Sequence, residues 1–186
     1  MASENTIDKV LKSIVAENIA YLTETHHLLP SHHFRGRPER TTEDALTILT
    51  ENIYATWKEG RIYSAVFMDV AGAFNNIHHN RLIHNMKKKR IPEQITKWVE
   101  SFLNGRITKL KFNDSTSDPI STPAGTPQES PLSPILYIYY NSDLLDISQE
   151  SDLGLGFIDD IEYGTKGSTA TRNTDRLRYM LDKAEL

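Results

Sequence analysis

Apolar residues at the start of the chain recur at Ile7, Val10, Leu11, Ile14, Val15, Ile19 and Leu22, with intervals of 3, 1, 3, 1, 4 and 3. That period predicts an amphipathic helix with its stripe on a core, ending near His26–Pro30. A loop follows, "SHHFRGRPER", carrying Arg35, Arg37 and Arg40. Thr41 or Thr42 then caps a second helix, with Glu43 and Asp44 in the first turn, where the helix dipole favours acids. Its apolar face is Ala45, Ile48, Leu49, Ile53 and Trp57, and Gly60 closes it.

The pattern then changes. "IYSAVFMDV" is β-branched and aromatic and predicts a buried strand ending at Asp69. "HNRLIHNMKKKR" predicts a helix with a basic tail, and Pro92 opens another with Ile95, Trp98, Val99 and Phe102 on one face and Gly105 as its stop. "RITKLKFN" and "DPISTP" predict a hairpin, and "SPLSPILYIYYNSDLL" an apolar helix with prolines near its start. "GLGFIDDIEYG" predicts a second hairpin with Asp159 and Asp160 in its turn, and Leu177, Met180, Leu181 and Ala184 mark a last helix. Hairpins interspersed with helices predict an α+β fold, an antiparallel sheet with helices on one side.

Composition narrows the chemistry. The 186 residues are 38% hydrophobic and 25% charged, with net charge -4 and no cysteine. Disulfides and thiolate metal sites are therefore excluded, and an overall basic coat for nucleic acid is absent. "MASENTIDKV" lacks an apolar signal core, and the longest apolar run, Leu132–Tyr140, is too short for a bilayer. A soluble, intracellular-type protein without a membrane partner is expected. The seven histidines show no i,i+4 pair of the kind that holds zinc and are expected at exposed loop and helix positions. "KKKR" at 87–90 and Lys109 with Lys111 suit either a nucleic-acid backbone or a solvated surface. Trp57 and Trp98 are expected in the core, and Ser168 as a helix cap.

The carboxylates carry the functional signal. A double Asp in a turn alone is ordinary turn chemistry. Asp69 also ends an apolar strand, and if the two strands are neighbours three carboxylates converge at one sheet edge. Such a cluster repels itself and its charge must be neutralised, which hard divalent cations do, with Mg²⁺ held by carboxylates and substrate phosphates; the competing reading makes Asp69 a strand-end helix cap.

Four segments together resemble a known family. "AVFMDVAGAFNNIHHNRLI" resembles motif A of reverse transcriptases, "AGTPQESPLSPILYIYYNSDLL" motif B, "GFIDD" motif C, and "LLPSHHFRGRPERTTEDAL" the fingers motif upstream of A. The order and spacing are most similar to LINE-type (non-LTR) retrotransposon polymerases, especially the Tad-like elements of fungi. The resemblance implies a polymerase palm over residues 63–186 carrying motifs A, B and C, and a partial fingers segment over 1–62, with the thumb absent. It implies RNA-directed DNA synthesis: two-metal nucleotidyl transfer from a dNTP to a primer 3′-hydroxyl on an RNA template. Asp69, Asp159 and Asp160 would hold two Mg²⁺ ions (Mn²⁺ as a substitute), with the Val70 carbonyl as a backbone ligand. Phe74 matches the aromatic gate against a ribose 2′-hydroxyl, and Gln128 a residue that positions nucleotide and template. Arg37 and Arg40 match fingers arginines near the triphosphate, where forked donors suit phosphate oxygens. The sequence leaves the compartment open, and resemblance to chromosomal retroelements is compatible with the nucleus.

The chain departs from the family pattern in three places. Glu129 stands where motif B carries Gly, Glu39 where the fingers motif carries Gly, and Arg35 where relatives often carry Gly. Each exchange needs one G→A base change. The alternative these departures raise is a catalytically dead retroelement remnant that at most binds nucleic acid.

Overall fold

The computed structural model describes residues 6–113, 115–127, 129–148 and 152–184. Along the chain run α1 (Thr6–Thr25), β1 (His33–Phe34), α2 (Thr42–Lys58), β2 (Ile62–Asp69), α3 (His79–Lys88), α4 (Glu93–Leu103), β3 (Ile107–Thr108), β4 (Lys111–Phe112), β5 (Ser115–Thr116), β6 (Ile120–Ser121), α5 (Ser133–Leu145), β7 (Asp152–Phe157), β8 (Asp160–Gly167) and α6 (Ala170–Ala184). The predicted α+β class is observed, and the described residues divide into two units interleaved in sequence.

One unit comprises residues 29–71 and 141–186. Its sheet has the strand order β1-β7-β8-β2, parallel between β1 and β7 and antiparallel elsewhere. α2 starts where Thr41 and Asp44 form a reciprocal capping box, so Thr41 is the cap rather than Thr42. Phe34, Ala45, Leu153 and Leu155 form a buried cluster with Ile48 and Leu49 of α2. On the opposite face Ile161 and Tyr163 pack with Val66, Met68, Leu145 and, from α6, Leu177 and Met180. Helices therefore cover both faces, which corrects the one-sided expectation. β7 shows why: its inner residues Leu153–Gly156 are buried without alternation, as a strand covered twice must be.

The other unit comprises residues 1–28 and 72–140. α3 and α4 pack together, burying Leu82, Met86, Val99 and Leu103. The buried Asn85 amide donates to the carbonyls of Tyr139 (3.3 Å) and Tyr140 (3.0 Å), and the Thr23 and Tyr139 hydroxyls share a 2.6 Å bond. The predicted hairpin appears as two short ladders, β3 with β6 and β4 with β5.

Some expectations fail. The first half of the α1 stripe is not on a core: Ile7, Val10, Leu11 and Ile14 are exposed, whereas Ile19 of the same stripe is buried, as are Lys12 and Thr23. Lys12 manages this because its ammonium pairs with Asp8 at 2.6 Å and stands over the face of the Phe102 ring, 5.3 Å from its centroid. Trp57 is 61% exposed instead of in the core, where an edge-on contact with Tyr54 occupies it. β2 alternates between exposed and half-buried instead of being buried throughout, because it is the sheet's outer strand. β1 fell in a segment expected to be loop, since two residues carry no periodicity. α6 is capped by Thr169, whose hydroxyl accepts from the Arg172 amide, and not by Ser168.

Candidate active site at a strand-pair tip

β2 and β8 pair in continuous register from Ile62↔Gly167 to Asp69↔Asp160. The last pair sets two carboxylates directly opposite each other. Directly opposed like charges destabilise a sheet, so fold stability alone does not select this pair. β7 and β8 are joined by a two-residue turn, Ile158–Asp159, closed by the Phe157↔Asp160 pair. Asp159 thus stands in the turn as expected, whereas Asp160 already opens the strand. The Val70 amide donates to the Asp159 carbonyl at 3.2 Å, carrying the contact between the segments one step past the ladder.

The electrostatics agree with this crowding. The Asp160 carboxyl is pushed above the usual range by burial and by the charges of Asp159 and Asp69, against the opposing pull of Arg35. A cavity of about 390 Å³ opens beside the pair, lined by Thr42, Phe67, Met68, Asp69, Phe157, Asp160, Ile161 and Glu162. Burial pushes the Glu162 carboxyl up to about 7, although the Tyr63 hydroxyl donates to it at 3.3 Å.

Carboxylate oxygens are the donors that a hard cation takes. Among the described residues no group of three or more His, Asp or Glu side chains is placed to hold a metal ion. The tip offers instead an open set of carboxylate oxygens whose repulsion a cation would relieve. Magnesium is commonly held by one or two carboxylates, with water and substrate oxygens completing its shell.

The remaining candidates are distributed as follows. Arg40 donates to the Ser31 carbonyl at 2.6 Å and is partly exposed. Arg37 is buried, and its guanidinium donates to the carbonyls of Pro30 (2.6 Å) and His33 (3.4 Å), so it braces the loop that presents Arg40. Arg35 and Glu39, two of the positions where relatives carry Gly, have φ of 59° and 56°. Both lie in the left-handed region that Gly occupies without strain. Phe74 belongs to the other unit, half-buried, with its ring 5.4 Å from that of Tyr137. Its carbonyl accepts from the Thr126 amide at 2.8 Å, tying it to the motif B loop. Glu129 is exposed, and Gln128 lies outside the described residues.

Three residues near the tip escaped sequence reasoning. Glu162 was not singled out. Asn141 is buried on α5, and a lone amide within "ILYIYYN" was the available signal. His33 is fully buried, against the expectation of an exposed loop histidine. Burial pushes its ring down to about 4.

Comparison with known proteins follows the same line. The family model described as reverse transcriptase (RNA-dependent DNA polymerase) matches residues 2–183. The chain is 28% identical over 139 residues to "Probable RNA-directed DNA polymerase from transposon X-element" of Drosophila melanogaster, covering 75% of this chain and 15% of that protein. It is 25% identical over 183 residues to the RNA-directed DNA polymerase from mobile element jockey of Drosophila funebris, covering 95% of this chain and 20% of that protein. The chain thus spans a fifth or less of the length of these relatives.

Proposed function

The chain belongs to the reverse transcriptase (RNA-dependent DNA polymerase) family, and from that premise we propose that it performs the nucleotidyl-transfer step of RNA-directed DNA synthesis in a LINE-type element. The observation that carries this reading is the strand-end pair Asp69↔Asp160 with Asp159 in the adjoining turn. In this reading residues 63–186 are a palm and 1–62 a partial fingers segment. The substrates are an RNA template, a DNA primer and a dNTP.

Asp69, Asp159 and Asp160, with the Val70 carbonyl, would hold two Mg²⁺ ions. When bound, these supply a lowered pKa for the primer 3′-hydroxyl and charge neutralisation on the leaving pyrophosphate. The chain's own residues hold the geometry. The β2–β8 ladder fixes Asp69 against Asp160, and the Val70 N–H holds the turn residue against the end of β2. Arg40, with Arg37 bracing its loop, offers forked donors to the triphosphate. By resemblance to the family, Phe74 takes the role of the gate against a ribose 2′-hydroxyl and Gln128 that of the residue that positions nucleotide and template.

The test is Mg²⁺-dependent primer extension on an RNA template, with the native chain, Asp159→Ala and Asp69→Asn in parallel. Extension by the native chain that is lost in both variants is expected. Silence from a natively folded chain, or extension that survives Asp159→Ala, overturns the reading.

A further inference from the structure

Ile158, the first residue of the two-residue turn, has φ of 52°. A β-branched residue in the left-handed region is strained, and such a conformation persists only where surrounding contacts over-determine it. The contact here comes from outside the hairpin. The Asn141 side-chain amide, on α5, donates to the Ile158 carbonyl at 2.7 Å. That carbonyl belongs to the peptide joining Ile158 to Asp159, so holding it sets the plane from which Asp159 departs. The next peptide is held by the Val70 amide on the Asp159 carbonyl, at 3.2 Å. Both peptide planes flanking Asp159 are thus anchored by groups beyond its own hairpin.

Asn141 is itself oriented. Its nitrogen faces Ile158, so its oxygen faces the His33 Nε2 at 3.1 Å, and that nitrogen must carry the proton. The other ring nitrogen, Nδ1, is then a lone-pair acceptor, and it is a buried atom without a hydrogen-bond partner. The ring lies flat on Gly156: a Cβ there would stand 2.9–3.1 Å from three ring atoms. "GLGF" therefore carries Gly156 to admit His33, and His33 is there to hold the Asn141 amide in its donating orientation.

We propose that Asn141, oriented by His33, is a positioning residue that sets the direction of the Asp159 carboxylate. The inference rests on the metal-site reading above, and its test separates the two.

The native chain, Asn141→Leu, Asn141→Asp and His33→Gln are compared. Leu removes both hydrogen bonds. Asp fills the same space without a donor for Ile158, and carries the test should Leu not fold. Gln restores a neutral donor near the position of His33 Nε2. The first readout is amide hydrogen exchange without metal. Exchange at Val70 should accelerate about tenfold in both Asn141 variants, the factor expected from losing one buried hydrogen bond, while Tyr163 in mid-strand stays protected. His33→Gln should stay near native. The second readout is the Mn²⁺ concentration that half-broadens the Val70 and Asp160 amide signals, expected to rise about tenfold in Asn141→Leu. Unchanged Val70 exchange in Asn141→Leu or, should Leu not fold, in Asn141→Asp overturns the inference, as does an unchanged Mn²⁺ response in Asn141→Leu. Faster exchange in a chain whose native form shows no Mn²⁺ broadening upholds the control of the turn by Asn141 and sinks the metal reading instead.

Discussion

The Tyr63 hydroxyl reaches along the sheet to donate to the Glu162 carboxylate at 3.3 Å, and it does so across Gly164. Gly164 faces Ala65 in register, two positions from Tyr63, and a Cβ on it would collide with the Tyr63 hydroxyl end. Gly164→Ala is expected to destabilise the fold by about 1–3 kcal/mol, the usual cost of forcing atoms into a packed site. Urea unfolding checks this. The cost should shrink in a Tyr63→Phe background, where the first colliding atom is gone, and an additive double mutant would refute the collision.

Glu39 and Arg35 hold left-handed backbone that side chains resist. Glu39→Gly and Arg35→Gly should each stabilise the chain by about 1 kcal/mol, less whatever glycine adds to unfolded-state entropy. Thermal unfolding midpoints report the effect. A lower midpoint for Glu39→Gly would mean that its side chain contributes more than the strain costs.

His33 gives the stability a defined pH dependence. Its ring titrates at about 4 in the folded chain against 6.5 as the ordinary value. Between those values the unfolded chain takes up a proton that the folded chain refuses. Stability from this group is therefore complete above pH 6.5 and falls as the pH drops toward 4. The slope is about 1.4 kcal/mol per pH unit, so native stability should fall roughly 2 kcal/mol further than that of His33→Gln between pH 7 and 5. Equal losses in the two proteins would assign the acid sensitivity elsewhere.

Gly125 has φ of 82°, and a Cβ on it would stand 2.8 Å from the Asn75 carbonyl oxygen and 2.9 Å from that of Phe74. Backbone cannot yield as a side-chain end can. Gly125→Ala should cost roughly 2–4 kcal/mol through strain and overpacking together. Under the proposed function it should also relax discrimination against ribonucleotides by displacing Phe74, and Phe74→Val should do so directly. Primer extension with rNTPs in place of dNTPs measures both, and unchanged discrimination in Phe74→Val would remove the gate role.

What the sequence determined by itself was the identity and order of the elements and the carboxylates worth attention. Periodicity is a local property, and the strand ending in Asp69 and the hairpin carrying Asp159 are written in it. The four ordered segments resemble the motifs of the polymerase family, and the family match over residues 2–183 bears that resemblance out. Tertiary structure decided which apolar faces are buried, because burial depends on what arrives from elsewhere. It turned the first half of the α1 stripe outward, exposed Trp57 and covered β7 on both sides. It also decided how the acidic turn is held. The bond from Asn141 to Ile158 spans 17 residues and that from His33 to Asn141 spans 108, and no local pattern encodes a contact whose partners meet only when the chain has folded.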